Sequence, residues 1–329
     1  MQFKSMDSWK TQMKRRAAEK NVDVTDMQQR YILEEFASKI GHSEHKNNFV
    51  LKGGFIVSNL LGIDWRTTRD IDMTFQSTIY SEEEIRKILM DVINTDVNSF
   101  FTYEIDNIKE GQVDDGYSGF NVTINAIHGK TKLPLKLDIS NNMLIYPQAI
   151  ENTFKSIFDD KEIQVMSYSI ENIIAEKFET TLDCGEYNTR MRDLFDIALL
   201  MESQKHLIDN TLLVECIIEV SKERNTLENL NEFNEIIEEL STSEILIKIL
   251  INIKTIHIQY KNNTYTESTL TLKDIFDIFR TIQSDIKRHL EHLESDRKPA
   301  LDDKLTLAKQ NRNANDKGTY KYDIENELL

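Results

Sequence analysis

The spacing of apolar residues changes several times along the chain, and each change predicts an element. Residues 5–41 keep helical spacing and predict two helices. Asp23 or Thr25 would cap the second, whose apolar positions include Met27, Tyr31, Ile32, Phe36 and Ile40. NFVLK (48–52) contracts to a short apolar run, a strand, followed by Gly53-Gly54 and a helix from about Phe55 to Leu61. DIDMTF (70–75) alternates polar and apolar, the mark of a half-buried strand. SEEEIRKILMDVIN (81–94) returns to helical spacing, with Ser81 as cap and Glu84 completing a capping box. Strands are predicted at about 100–106, 117–127 and 133–139, and the α/β part ends near residue 160.

From about residue 169 onward every periodic segment reads as helix. SIENIIAEKFETTL opens with a serine cap. MRDLFDIALLM, NTLLVECIIEVSK, the Glu-rich 226–240, SEILIKILINI and LKDIFDIFRTIQSDIKRHLEHL follow. The expected architecture is a mixed α/β domain with N-terminal helices over 1–165, then an all-α bundle of five or six helices over 166–329. The polar last thirty residues are expected to be frayed or loosely docked.

Composition agrees with long regular elements, since the 329 residues include only 3 Pro and 10 Gly. Two cysteines, Cys184 and Cys216, form neither a zinc motif nor a disulfide scaffold. The N-terminus lacks an apolar signal core, and ILIKILINIK (245–254), the longest apolar candidate, is broken by Lys248. No membrane association is expected, and a cytoplasmic protein is the simplest reading. The net charge of -16 argues against binding nucleic acid by bulk charge. The charge is nevertheless uneven. Residues 4–20 carry six Lys/Arg against two acids, 296–321 carry seven against four Asp, and 223–244 carry seven Glu against one Arg. Such stretches are ordinarily solvated helix faces. They would serve an RNA substrate only if they face the site.

The chemistry concentrates in LKGGFIVSNLLGIDWRTTRDIDMTF (51–75). Asp70 and Asp72, two apart on a strand, share one face while Ile71 and Met73 point into the core. Two like charges on one face call for a cation, and a hard ion such as Mg²⁺ takes one or two carboxylates plus phosphate oxygens. A two-metal arrangement would need a third carboxylate, and LKLDIS (135–140) supplies Asp138. Alone, Asp-x-Asp could equally be a solvated pair at a strand edge. Gly53-Gly54 between strand and helix would let a backbone approach phosphate at a helix N-terminus. Walker and dinucleotide fingerprints are both absent.

Taken together, strand, Gly-Gly, helix, Asp-x-Asp sixteen residues after Gly54, and a third Asp on a later strand resemble the polymerase-beta-type nucleotidyltransferase fold. With LKGG, DIDM, KLDI (136–139), AEKF and RMRDLFDI in this order, residues 48–200 resemble the AbiEii/AbiGii nucleotidyltransferase toxins of abortive-infection and toxin–antitoxin systems. The resemblance implies transfer of NMP from an NTP to an acceptor hydroxyl. It implies Mg²⁺ on Asp70, Asp72 and Asp138, nucleotide contacts from Gly53, Gly54, Lys177 and Arg192, and Asp193 as the base, with Asp196 as its rival. Lys136 falls in the second motif. GTP or a pyrimidine NTP is the candidate donor, the 3′ end of tRNA the candidate acceptor, and a cognate antitoxin the partner, without need of direct binding.

This chain departs from the family in having Phe55 after the glycines, where a hydroxyl is common, and Ser58 one turn on is the candidate replacement. Arg69 would screen Asp70 or reach phosphate, and Tyr117 to Phe120 would line the site. The seven histidines form no metal-like cluster in sequence. Glu176, Lys177, Arg192, Asp193 and Asp196 could instead form surface ion pairs, each worth about 0–1 kcal/mol. Two other functions share the motifs. One is a small-molecule nucleotidyltransferase of the aminoglycoside-modifying type, whose cationic substrate suits an acidic protein. The other is a non-catalytic nucleotide-binding module.

Overall fold

The computed structural model describes residues 3–79, 81–114, 117–159, 161–185, 191–243 and 270–314. Two helices open the chain, α1 (Met6–Lys20) and α2 (Val24–His42), capped by Ser5 and Asp23. Strand β1 (Phe49–Lys52) runs directly into α3 (Gly53–Leu61), and β2 (Asp70–Phe75) and α4 (Glu82–Asn94) follow. Ser81 caps α4 by accepting from the Glu84 N–H. Then come β3 (Thr102–Asp114), β4 (Tyr117–His128), β5 (Thr131–Asn141), β6 (Ile150–Lys155) and β7 (Glu162–Ser167). The helices α5 (Ile170–Cys184), α6 (Met191–Ser203), α7 (Asn210–Glu223), α8 (Phe233–Thr242) and α9 (Leu272–Ala314) complete the described chain.

The seven strands form one mixed sheet in the order β3-β4-β5-β2-β1-β7-β6. Two strands exceed the sequence expectation. The apolar pattern does not predict β6 and β7, yet β7 pairs parallel to the central strand β1. β6 has few apolar residues and none buried, so its pattern is weak, whereas β7 alternates exposed or half-buried positions with buried ones, a half-buried strand that the expectation omitted. β3 is also longer than predicted, because it pairs with β4 over the whole length of a hairpin. The predicted helix SEILIKILINI falls almost wholly on residues 244–269, outside the described residues. The polar tail is helical as far as Ala314, and 315–329 lie outside the described residues.

The described chain divides into two compact units, Met1–Arg280 and Thr281–Leu329. In the first, Phe36 of α2 stands against Tyr103 of β3 with ring centroids 5.5 Å apart. Leu135, Leu137, Ile139, Val122 and Ile124 are buried on the same sheet face. α1 packs on α2 through Trp9, which meets the Tyr31 ring edge-on. Among α5–α9, Phe178 stacks on Phe233 and on Phe279. Among the described residues, no helix is long and apolar enough to cross a membrane.

α2 is locked to α3 by a buried charge. Arg30 pairs with Glu34 at 2.6 Å, donates to Ser58 Oγ and Asn59, and lies 5.1 Å from the Phe55 ring centroid. Removing one member of a desolvated pair leaves the other charge unpaired, at about 3–5 kcal/mol. Arg30→Ala is therefore expected to lower the urea-unfolding stability by about that amount, and Arg30→Met with Glu34→Leu to recover most of it. An unchanged unfolding midpoint in Arg30→Ala would show that the pair is not desolvated.

Candidate active site

Strand register builds the site. β1 pairs with β2 so that Lys52 lies opposite Asp72, and β2 pairs with β5 so that Asp72 lies opposite Asp138. Residues directly opposite share a face. Lys52, Asp72 and Asp138 therefore form one row across three central strands, with Asp70 two residues along β2. The intervening Ile71, Met73, Leu137 and Ile139 are wholly buried, which holds the register.

A cleft of about 890 Å³ opens over this row. Gly53, Gly54, Asp70, Asp72, Asp138, Lys177, Arg192 and Asp193 all line it, as do Arg69 and Glu176, whereas Lys136 and Asp196 do not. Gly53 has φ +60, and a Cβ there would stand 2.1 Å from Asp72 Oδ2, so both the backbone conformation and the close approach require glycine. The Gly54 N–H donates to Asp72 Oδ2 at 3.3 Å, so a carboxylate of the row meets the N-terminus of α3, while the side chain of the preceding Lys52 makes no cap bond.

Electrostatics make Asp72 the strained member. Its burial, followed by repulsion from Asp70 and, less strongly, Asp138, pushes its carboxyl up to about 6, against the pull of Lys52. Thr68 Oγ1 donates to Asp70 Oδ1 at 2.8 Å and orients that second carboxylate. Three oxygen-bearing acids repelling one another around a cleft suit a hard divalent cation, whose charge would relieve the repulsion.

The helical wall carries a buried charge network. Lys177 of α5 pairs with Asp193 and, at 3.0 Å, with Asp196, both on α6. Asp196 also accepts from Arg66 Nε at 3.0 Å. Burial opposes the charge on Lys177, but Asp196 and Asp193 outweigh it and hold the ammonium above its ordinary pKa. For Asp196, Lys177 and Arg66 overcome the cost of burial and hold its carboxyl below the ordinary range. Asp193 lines the cleft, whereas Asp196 lies 1% exposed behind it.

Three cleft residues carry no clear site signal in the sequence. Lys52 is buried, 3.5 Å from Glu176 and 3.0 Å from Met143 Sδ; its one mark is a lysine ending an otherwise apolar strand. Arg66 reaches across from the loop before β2. Arg224 pairs with Glu179 at 2.6 Å and Glu176 at 3.4 Å, and is the single arginine in the acidic stretch 223–244.

Other expectations are corrected. The Ser58 hydroxyl is committed to the Arg66 carbonyl at 2.5 Å and accepts from Arg30, so it does not replace a phosphate contact. Arg69 pairs with Asp26 at 2.9 Å rather than with Asp70, and both residues line the cleft. Tyr117 donates to Glu223 at 3.1 Å, while Phe120 is buried in the core. His45 does gather with Glu44 and Asp91 into a small group whose ligand atoms lie within 4.8 Å of one another, apart from the cleft residues.

Comparison with known proteins places this geometry. MenT4, a nucleotidyltransferase toxin from Mycobacterium tuberculosis H37Rv, superposes with a TM-score of 0.50 at 11% identity, over 84% of this chain and 89% of that one. JHP933 from Helicobacter pylori gives 0.43 at 15% identity over 83% and 97%. A putative nucleotidyltransferase from H. pylori gives 0.41 at 16% over 80% and 97%. No curated protein matches the chain in sequence. Residues 36–307 match the model of the nucleotidyl transferase AbiEii toxins of type IV toxin–antitoxin systems, and the chain therefore belongs to that family and is a nucleotidyltransferase.

Proposed function

We propose that this toxin transfers a nucleoside monophosphate from an NTP to an acceptor hydroxyl with release of pyrophosphate, using Mg²⁺ held by Asp70, Asp72 and Asp138. One observation carries the reading: a row of mutually repelling carboxylates shares a single cleft with a glycine turn at the N-terminus of α3. When bound, the cation would neutralise triphosphate charge and polarise the attacked phosphorus. The turn at Gly53 and Gly54 offers backbone N–H groups to the phosphates. Lys177, kept protonated by its two aspartates, and Arg192 add positive charge at the cleft wall. In the transfer, the acceptor oxygen bonds to the α-phosphorus as the bond to pyrophosphate breaks. The hydroxyl proton passes to a carboxylate.

Asp193 is the better base of the two rivals because it lines the cleft. Asp196 is a buried counter-charge that holds Lys177 and Arg66. Within the family the reading extends to a cytoplasmic toxin of an abortive-infection system. Its donor is GTP or a pyrimidine NTP, its acceptor the 3′ end of tRNA, and its cognate antitoxin need not bind it directly.

Incubating the protein with Mg²⁺, each labelled NTP and total bacterial RNA tests the reaction. Label is expected in tRNA-sized RNA with wild type, and neither with Asp72→Asn nor with EDTA. Equal labelling by folded Asp72→Asn would remove the carboxylate row from the mechanism.

Asp193→Asn is expected to lower kcat by about 10²–10⁴ with little change in KM, as loss of a general base does. Asp196→Asn is expected to act mainly through KM for the NTP, and the reverse pattern would exchange the two roles. Gly53→Ala should cost about 1–2 kcal/mol of stability from its left-handed backbone and also abolish transfer by displacing Asp72. Full activity in that variant would show that the turn can shift without moving the carboxylate.

A further inference from the structure

We infer that the open face of β3, β4 and β5 beside Asp138 is the docking platform for the acceptor, a single phosphodiester strand ending in a free hydroxyl. The inference rests on the nucleotidyl-transfer reading and adds where the acceptor lies.

The pleat gives these three strands two unlike faces. On the face of the carboxylate row, register sets Asn121 opposite Asp138, Lys109 opposite Asn121, and Thr123 opposite Lys136. Lys109, Asn121 and Lys136 are exposed and Thr123 is half-buried, while the alternate residues are buried on the other face. A sheet with one face in the core and one in water is ordinary for antiparallel strands. This wet face is contiguous with the carboxylate row and carries charge of both signs, with Lys109 and Lys136 nearest the row and Glu104 and Asp106 toward its far end. Lys109 and Lys136 make no ion pair with any described residue, and Lys132 farther along β5 pairs with Asp106 at 3.1 Å. In a chain of net charge -16, two uncommitted lysines flanking Asn121 and Asp138 provide the local positive charge that phosphates require. Gly111 lies opposite Gly119 on the same face, and a Cβ at Gly111 would meet nothing within 4 Å. At Gly111 the backbone is exposed, whereas Gly119 beside it is buried.

Topology sets the direction of approach. In the order β3-β4-β5-β2-β1, the glycine turn at the end of β1 stands on one side of Asp72 and Asp138, and the lysine-bearing strands stand on the other. Displacement at phosphorus sets the attacking oxygen roughly in line with the leaving pyrophosphate. With the triphosphate at the glycine turn, the terminal hydroxyl arrives from the β5–β4 side, and the lysines meet the phosphates that precede it. The most basic stretch of the sequence with described side chains does not occupy this position. α1 packs through Trp9, Met13 and Ala17 onto α2, the helix that covers the other sheet face.

The test uses the full chain and a short 5′-labelled single-stranded oligonucleotide with a free 3′ hydroxyl, as RNA and as DNA. Fluorescence anisotropy is measured across a salt series. Lys109→Glu with Lys136→Glu is expected to weaken strand binding at least tenfold at low salt. The slope of log K against log salt should fall by about 1.4, at about 0.7 for each phosphate of a single strand that a lysine no longer neutralises. Because Lys136 lies opposite Asp70, unchanged calorimetric NTP binding is expected of Lys109→Glu alone, and Lys10→Glu with Lys14→Glu on α1 should retain both properties. Binding of RNA alone or of both probes supports the platform and reports its sugar preference; binding of neither overturns it. Wild-type affinity and slope in the β3–β5 variant, or a loss that falls on the α1 variant instead, also overturns it. Absence of NTP binding by the wild type would instead sink the nucleotidyl-transfer reading.

Discussion

Repulsion among carboxylates gathered at one place on a sheet is the constraint around which this protein is arranged. Asp72 and Asp138 are brought opposite each other by the pairing of β2 with β5, and Asp70 follows two residues away. Such a grouping is unfavourable in isolation, and the raised pKa of Asp72 records it. The surrounding structure supplies partial compensation. Lys52 sits in the same row, the Gly54 N–H reaches Asp72, and Thr68 orients Asp70. A sheet whose register is held by fully buried Ile71, Met73, Leu137 and Ile139 can keep this arrangement, because slipping by one residue would turn every apolar side chain into water.

The second organising feature is the charge network between α5, α6 and the loop before β2. Lys177 sits between Asp193 and Asp196, and Asp196 in turn holds Arg66. Two cations and two anions leave the group neutral, so the cost of burying each charge is met by its neighbours rather than by solvent. The helices that follow the sheet thereby acquire a fixed relation to the loop that carries Thr67 and Thr68 into the cleft. A second network, in which Arg224 bridges Glu176 and Glu179, ties the end of α7 to α5 at the same wall. Neither network belongs among surface ion pairs of negligible worth, since Asp196, Glu179 and Arg224 are almost wholly buried.

The overall acidity of the chain and its chemistry on phosphate are reconciled by location. The cleft gathers Lys52, Arg66, Lys177 and Arg192 beside its carboxylates, and Lys109 and Lys136 are exposed on the neighbouring sheet face. The Glu-rich run 223–244 belongs mostly to the exposed sides of the 3₁₀ turn Leu227–Leu230 and of α8, and contributes Arg224 to the cleft wall. Net charge therefore describes the solvated surface and says little about the site.

Much was legible in the sequence because the signals are local. The change of apolar period located α2, α4 and β2. The two-residue spacing of Asp70 and Asp72 placed them on one face, and the paired glycines marked a turn that only residues without a Cβ can make. β6 escaped because it has few apolar residues, and β7 because its place beside β1 depends on a partner more than a hundred residues away. The roles of Arg66 and Arg224 escaped for the same reason: each is defined by a carboxylate on a distant helix. Sequence by itself thus determined which residues bear the charge and which local elements present them. Tertiary structure alone decided which charges meet, because register and helix packing set distances between groups that chain order leaves unspecified. It committed Ser58 elsewhere, paired Arg69 with Asp26 at the cleft, put Asp193 on the cleft wall with Asp196 behind it, and left Lys109, Asn121 and Lys136 exposed on the sheet face beside Asp138.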